Sequence, residues 1–291
     1  MWSLIRAKKN DIKRETNTTL LPDEPEEHSA ERWALIGASA KGANKISCQD
    51  SHYIKQIDGW SIMVVADGAG SCPKSRLGAK YAAQRIGTLL ESLAKSYHVD
   101  LPDEKVFEAQ IVLRFLKVRS ELEFFATKKA NANLNDYSTT VIALLVSNEG
   151  HILCANIGDG RAGFRTKEGQ WQALFAPLKG EYANETHFLT SRNLCRLVQT
   201  SIVKASNVDA VVALTDGLEN YAWNISHFDE RSNRVIQKNE PFPDFFNPLI
   251  ESLFYGSSNP NDTLNQFLTD NPIIKQEIDD RSLVVAHLGH F

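Results

Sequence analysis

The chain has 291 residues, 42% apolar and 23% charged, which suits a globular protein with a sizeable core in one large domain or two small ones. A formal net charge of -4 and a pI near 6.1 argue against a nucleic-acid or anionic-membrane partner. Cys48, Cys72, Cys154 and Cys195 stand far apart with no Cys-x-x-Cys, so they read as reduced thiols of a cytoplasmic protein, and a zinc site is not expected.

Residues 1–32 are polar, basic first (Lys8, Lys9, Lys13, Arg14) and then acidic (Asp23, Glu24, Glu26, Glu27). Such a stretch buries little and reads as a tail or loosely docked arm. No apolar run here or later reaches the roughly 18 residues that span a bilayer. Residues 33–291 read as a single domain. It opens with a strand over Trp33–Ser39, followed by a polar loop to Lys45-Ile46-Ser47-Cys48-Gln49-Asp50. An alternating strand His52–Ile57, a hairpin signal at Asp58-Gly59 and an apolar strand Trp60–Ala66 come next. That last strand stops at Asp67-Gly68-Ala69-Gly70, so Asp50 and Asp67 are expected at one end of one sheet.

Two helices follow, about residues 74–97 and 104–129. Leu77, Tyr81, Ile86, Leu89, Leu90 and Leu93 form the expected core stripe of the first. Val106, Phe107, Ile111, Phe115, Val118, Leu122 and Phe125 form that of the second. A strand Tyr137–Val146 and another ending at Ile157 lead to Gly158-Asp159-Gly160-Arg161. After a hairpin around Glu168-Gly169, the polar stretch Glu181–Ser191 is expected near the site or over it. The run Val208–Leu214 stops at Thr215-Asp216-Gly217, and residues 221–276 read as short helices and loops beside the sheet. A final strand begins after Asp279-Asp280.

One Asp-Gly is an ordinary turn signal. Here Asp67, Asp159, Asp216 and the Asp279-Asp280 pair each adjoin an apolar strand. Gathered at one sheet end they would repel and raise one another's pKa. Divalent cations neutralise such a cluster, and all-oxygen ligation favours Mg²⁺, Mn²⁺ or Ca²⁺ over zinc. Two such ions roughly 3.5–4 Å apart are a recurring device for phosphate-ester hydrolysis.

The order of Cys48-Gln49-Asp50-Ser51, Val65-Ala66-Asp67-Gly68-Ala69-Gly70-Ser71, Ser138-Thr139-Thr140, Asn156-Ile157-Gly158-Asp159-Gly160-Arg161, Ala213-Leu214-Thr215-Asp216-Gly217-Leu218 and Asp279-Asp280-Arg281-Ser282-Leu283 resembles the bacterial branch of the metal-dependent protein phosphatases of the 2C family. The resemblance implies an α+β fold, a four-layer α-β-β-α sandwich of two mostly antiparallel sheets flanked by helices. It also implies a serine/threonine phosphatase with two Mn²⁺ or Mg²⁺ ions, a weaker third, and a metal-bridging hydroxide as nucleophile. Asp67 would bridge the ions, with the Gly68 carbonyl completing one shell. Asp216 and Asp279 (preferred to Asp280) would hold one ion and Asp50 would act on the other, while Asp159 matches the third site. Lys45 stands where the family often has a phosphate-gripping arginine. The implied partners are phosphoserine or phosphothreonine proteins and a serine/threonine kinase or its targets.

Gln49 replaces a common glutamate, Ala69 a histidine of animal members, and Asn220 an aspartate of the third site. The first and third departures motivate the alternative, a pseudophosphatase that binds phosphoproteins or a kinase without turnover.

Overall fold

The computed structural model describes residues 32–57, 59–97, 101–128, 130–175, 186–229 and 234–289. The expected N-terminal arm, up to residue 31, and Asp58 lie outside them, as does part of the expected covering segment.

Strands β1 (Arg32–Ala40), β2 (Ser51–Ile57) and β3 (Trp60–Ala66) precede the helices α1 (Ser75–Ala94) and α2 (Glu104–Lys128). A 3-10 turn, Leu134–Tyr137, leads into β4 (Val141–Ser147), so the strand expected from Tyr137 starts four residues later. Strands β5 (Ile152–Ile157), β6 (Arg161–Thr166) and β7 (Trp171–Ala173), the short α3 (Leu194–Leu197), then β8 (Gln199–Val203) and β9 (Val208–Leu214) come next. The chain finishes with α4 (Glu219–Ala222), β10 (Trp223–Asp229), β11 (Arg234–Pro241), α5 (Pro243–Phe254), α6 (Pro260–Asp270) and β12 (Arg281–Gly289).

Two five-stranded sheets, ordered β1-β12-β9-β6-β7 and β2-β3-β4-β5-β8, are antiparallel throughout. Their packing follows from the period of two along each strand. On β3 and β4, Met63, Val65, Ile142 and Leu144 face the other sheet, where they meet Val211, Ala213 and Val284. The alternate residues Ile62, Val64, Ala143 and Leu145 pack against Ile86 and Leu90 of α1 and Phe107, Ile111 and Phe115 of α2. On the far side, Val212, Leu214, Leu283 and Val285 pack against Phe246, Leu249, Leu253, Leu264 and Leu268 of α5 and α6. Both sheets are covered on both faces, which is why β3, β4 and β5 are buried at every position. The result is a four-layer α-β-β-α sandwich.

The helix stripes differ from expectation. Leu77, Tyr81, Val106 and Phe125 are exposed. The α1 face that packs is built from Ala79, Ala82, Ala83 and Ile86, and these small residues bring the helix close to the sheet. At Gly87 an added Cβ would lie 2.3 Å from the Tyr53 ring. Residues 221–276 are not only helices and loops: β10 and β11 pair as an antiparallel hairpin, and β8 forms where the sequence pattern predicts no element. Alternation is weak in both places, and β8 is only half-buried along its length.

Candidate metal centre

Antiparallel pairing gathers the acidic residues. Ser51 pairs with Ala66, so Asp50 enters β2 where Asp67 leaves β3. Leu214 faces both Leu283 and Arg161, which places Asp216, Asp279-Asp280 and Asp159 at one rim of the other sheet and the β5–β6 turn. Glycines make the crowding feasible. A Cβ on Gly217 would lie 2.1 Å from the Asp280 carbonyl oxygen, and one on Gly68 would lie 2.7 Å from the Gln49 carbonyl oxygen. Gly68 itself bridges to Thr139.

Asp67, Asp159 and Asp216 each offer a carboxylate oxygen, all within 4.8 Å of one another. Asp50 is buried beside Asp67, and the Thr215 hydroxyl donates to its Oδ2 at 2.7 Å. The Ser282 N–H in turn donates to Thr215 Oγ1 at 2.8 Å, so one threonine ties Asp50 across to the second sheet. The Thr186 hydroxyl donates to Asp159 Oδ2 at 2.6 Å. Sequence reasoning passed over Thr215 and Thr186: the first had a signal, its place at a strand end next to Asp216, while the second had none.

The two neighbouring acids at 279 and 280 are distinct. Asp280 is buried and saturated, accepting from the Gly42 and Gln49 N–H groups at 2.7 and 2.8 Å and from Lys45 at 3.1 Å. Asp279 is partly exposed, interacts electrostatically with Asp67 and Asp216, and accepts from Lys45 Nζ at 2.6 Å. Lys45 is therefore engaged with these carboxylates. Burial alone would lower the pKa of its ammonium, but the two carboxylates outweigh that and push it upward.

Gln49, the first departure, turns its amide to Ser75 Oγ at 2.7 Å, and Asn220 is exposed on α4. Arg161 is held by Glu219.

The electrostatics are those of a cluster without its counter-charge. Asp216 is pushed up to about 8, first by burial and then by Asp67, Asp159, Asp279 and Glu219. Burial also raises both members of the Asp50–Asp67 pair, and Asp50, Asp279 and Asp159 further oppose ionisation of Asp67. Among the described residues, three of the buried carboxylate oxygens, Asp50 Oδ1, Asp159 Oδ1 and Asp216 Oδ1, have no hydrogen-bond partner. Orphaned anionic oxygens in a buried rim are costly, and a hard divalent cation satisfies them at once. The donor set fits such a cation. Cys48, next to the cluster, offers no rival chemistry: burial, then Asp50 and Asp280, push its thiol up to about 12, leaving it protonated and unreactive at neutral pH.

Comparison with known proteins agrees with this architecture. The family model described as protein phosphatase 2C matches residues 36–269. The serine/threonine-protein phosphatase 3 of Escherichia coli (strain K12) is 28% identical over 267 residues, covering 87% of this chain and 98% of its own. Among solved structures, a bacterial serine phosphatase superposes with a TM-score of 0.56 at 14% identity, covering 89% of this chain and 99% of its own. The serine/threonine phosphatase Stp1 from Staphylococcus aureus gives 0.54 at 15% identity, covering 89% and 96%. At these identities the structures speak for the fold alone.

Proposed function

The chain belongs to the protein phosphatase 2C family, and from that premise we propose that it is a protein serine/threonine phosphatase hydrolysing phosphomonoesters with two Mn²⁺ or Mg²⁺ ions. The observation that carries the reading is the cluster of Asp67, Asp159 and Asp216 with its orphaned buried oxygens. In this reading Asp67 would serve both ions, Asp216 and Asp279 would hold one, and Asp50 with the Gly68 carbonyl would serve the other. Asp159 contributes to a weaker third site. When bound, the ions would lower the pKa of a shared water to supply hydroxide and would neutralise charge on the phosphoryl oxygens.

The protein's own work is placement. Each carboxylate sits at the end of a strand packed on both faces, so the constellation costs little reorganisation during reaction. The Thr215 hydroxyl fixes the Asp50 carboxylate against rotation. With hydroxide as the nucleophile rather than a side chain, no covalent phosphoenzyme would form. The substrate class, phosphoserine and phosphothreonine proteins, follows the named activity of the E. coli relative, and a serine/threonine kinase or its targets would be the natural partner. Among the described residues no helix is long and apolar enough to cross a membrane. The four unpaired cysteines support a reducing, cytoplasmic setting.

A phosphothreonine peptide is expected to be hydrolysed with millimolar Mn²⁺, to fall by at least about 10²-fold on chelation, and to recover when Mn²⁺ returns. Phosphate release checks this. Weak or absent Mn²⁺ binding together with no turnover would instead favour the pseudophosphatase that Gln49 and Asn220 suggest.

A further inference from the structure

The three-acid cluster that converges within 4.8 Å does not include Asp279. At that end of the rim a cation is already in place: Lys45 Nζ lies 2.6 Å from Asp279 Oδ1 and 3.1 Å from Asp280 Oδ2. We propose that Lys45 is a built-in counter-ion at the Asp279 end of the site, competing with the second metal ion for Asp279 and released toward the phosphoryl group when that ion binds. The inference rests on the reading of Asp279 as a ligand given above.

The position of the ammonium is set by backbone. Residues on both sides of Lys45 are pinned to the 277–281 turn. The Gly42 and Gln49 N–H groups both donate to Asp280, and the Ala43 N–H donates to the Glu277 carbonyl at 2.7 Å. Arg281, buried, donates to the carbonyls of Lys41 and Glu277 at 2.7 and 3.0 Å. The loop therefore delivers Lys45 to Asp279 as part of the fold. Among the described residues, Arg161 is committed to Glu219 and the Lys41 ammonium to the Lys45 carbonyl at 2.8 Å.

A divalent ion bound at Asp279 and the Lys45 ammonium repel within a few ångströms, so each weakens the other's hold on that carboxylate. By this repulsion the second ion displaces the shorter of the two lysine contacts. The longer one, to Asp280, keeps Lys45 at the rim, where its charge becomes available to an arriving phosphate. The second ion and the substrate are thereby coupled through one side chain, and that ion binds more weakly than the first.

Calorimetric titration of Mn²⁺ into the chelator-stripped full chain tests this, with spin-resonance counting of bound ions. Wild type is expected to take two ions, the second more weakly. Lys45→Met tightens the second about ten-fold or more, the worth of one charge-assisted contact, and moves the first by less than about three-fold, since that site lacks the lysine contact. Lys45→Gln, which keeps a donor for Asp280, shows the same tightening and guards against a folding defect, which thermal melting checks. Lys41→Met, a charge lost from the same loop, shifts either ion by less than about two-fold. An unchanged or weakened second ion in both Lys45 variants with native melting overturns the proposal, as does an equal shift in Lys41→Met. Two ions of equal affinity in every protein overturn this inference alone, whereas wild type binding no Mn²⁺ overturns the metal centre and the inference with it.

Discussion

Asp67→Asn is expected to lower phosphopeptide turnover by about 10³-fold while raising the melting temperature of the metal-free protein. The two effects have one origin. Asp67 lies among Asp50, Asp159, Asp216 and Asp279, with burial and like charge both opposing its ionisation. In the absence of cations this carboxylate adds repulsion to the fold. A neutral amide of the same shape removes the repulsion and keeps hydrogen-bonding capacity, while the backbone links that seat the residue remain: the Asp67 N–H to Thr140 Oγ1 at 3.2 Å and the Thr139 hydroxyl to the Asp67 carbonyl at 2.8 Å. Each kcal/mol of repulsion removed raises the melting temperature by roughly 2–4 °C in a chain of this size class. In the proposed reading the same substitution deletes the ligand shared by both ions. A residue with a purely structural role would lose stability on substitution, so a variant that is both inactive and more stable in chelator separates the two explanations. Paired phosphate-release and melting measurements check it, and a less stable, fully active Asp67→Asn would contradict it.

Between pH 7 and 9, the stability of the metal-free protein is expected to fall by on the order of 2–3 kcal/mol, and excess Mn²⁺ is expected to flatten the trend. The sign follows from the direction of the shifts. Asp50, Asp67 and Asp216 all have folded-state pKa values raised above 3.8. The stability they contribute is fully present below the unfolded value and is lost as pH rises through the folded one, which for Asp216 is about 8. His52 and His287 oppose this at lower pH, because burial lowers their pKa and folding then gains as pH rises toward 6.5. Above pH 7 they are neutral in both states, which leaves the carboxylates in control. Cations bind the ionised carboxylates, so with Mn²⁺ these groups are deprotonated in the folded state as in the unfolded one, and the pH dependence they cause is lost. Melting curves across this range with chelator and with Mn²⁺ measure both slopes; a flat profile in chelator would contradict the charge cluster.

The strand ends that carry the acids were legible because the signal there is abrupt. The apolar run Trp60–Ala66 stops at Asp67-Gly68, and Val208–Leu214 stops at Thr215-Asp216-Gly217, each matching an observed strand end. A fully buried strand has no polar face, so its end is its clearest feature. The helix faces were less legible because apolar residues lie on more than one side. Leu77 and Val106 read as core yet are exposed, while Ala79, Ala82 and Ala83 pack the sheet; a count of large side chains overlooks alanines that set a close approach. The Lys45–Asp279 contact spans 234 positions and leaves no local trace. Thr186 reaches Asp159 from an otherwise featureless polar stretch, and the adjacent Asp279 and Asp280 were separated in role only by the backbone donors that saturate the second.

The most direct measurement is the anomalous scattering of a crystal grown or soaked with Mn²⁺. Manganese peaks within about 2.0–2.3 Å of Asp67 and Asp216 carboxylate oxygens are expected, with a further ion on Asp279 accompanied by a displaced Lys45. Density without manganese at Asp67 and Asp216, from protein that still hydrolyses the phosphopeptide, would contradict the account.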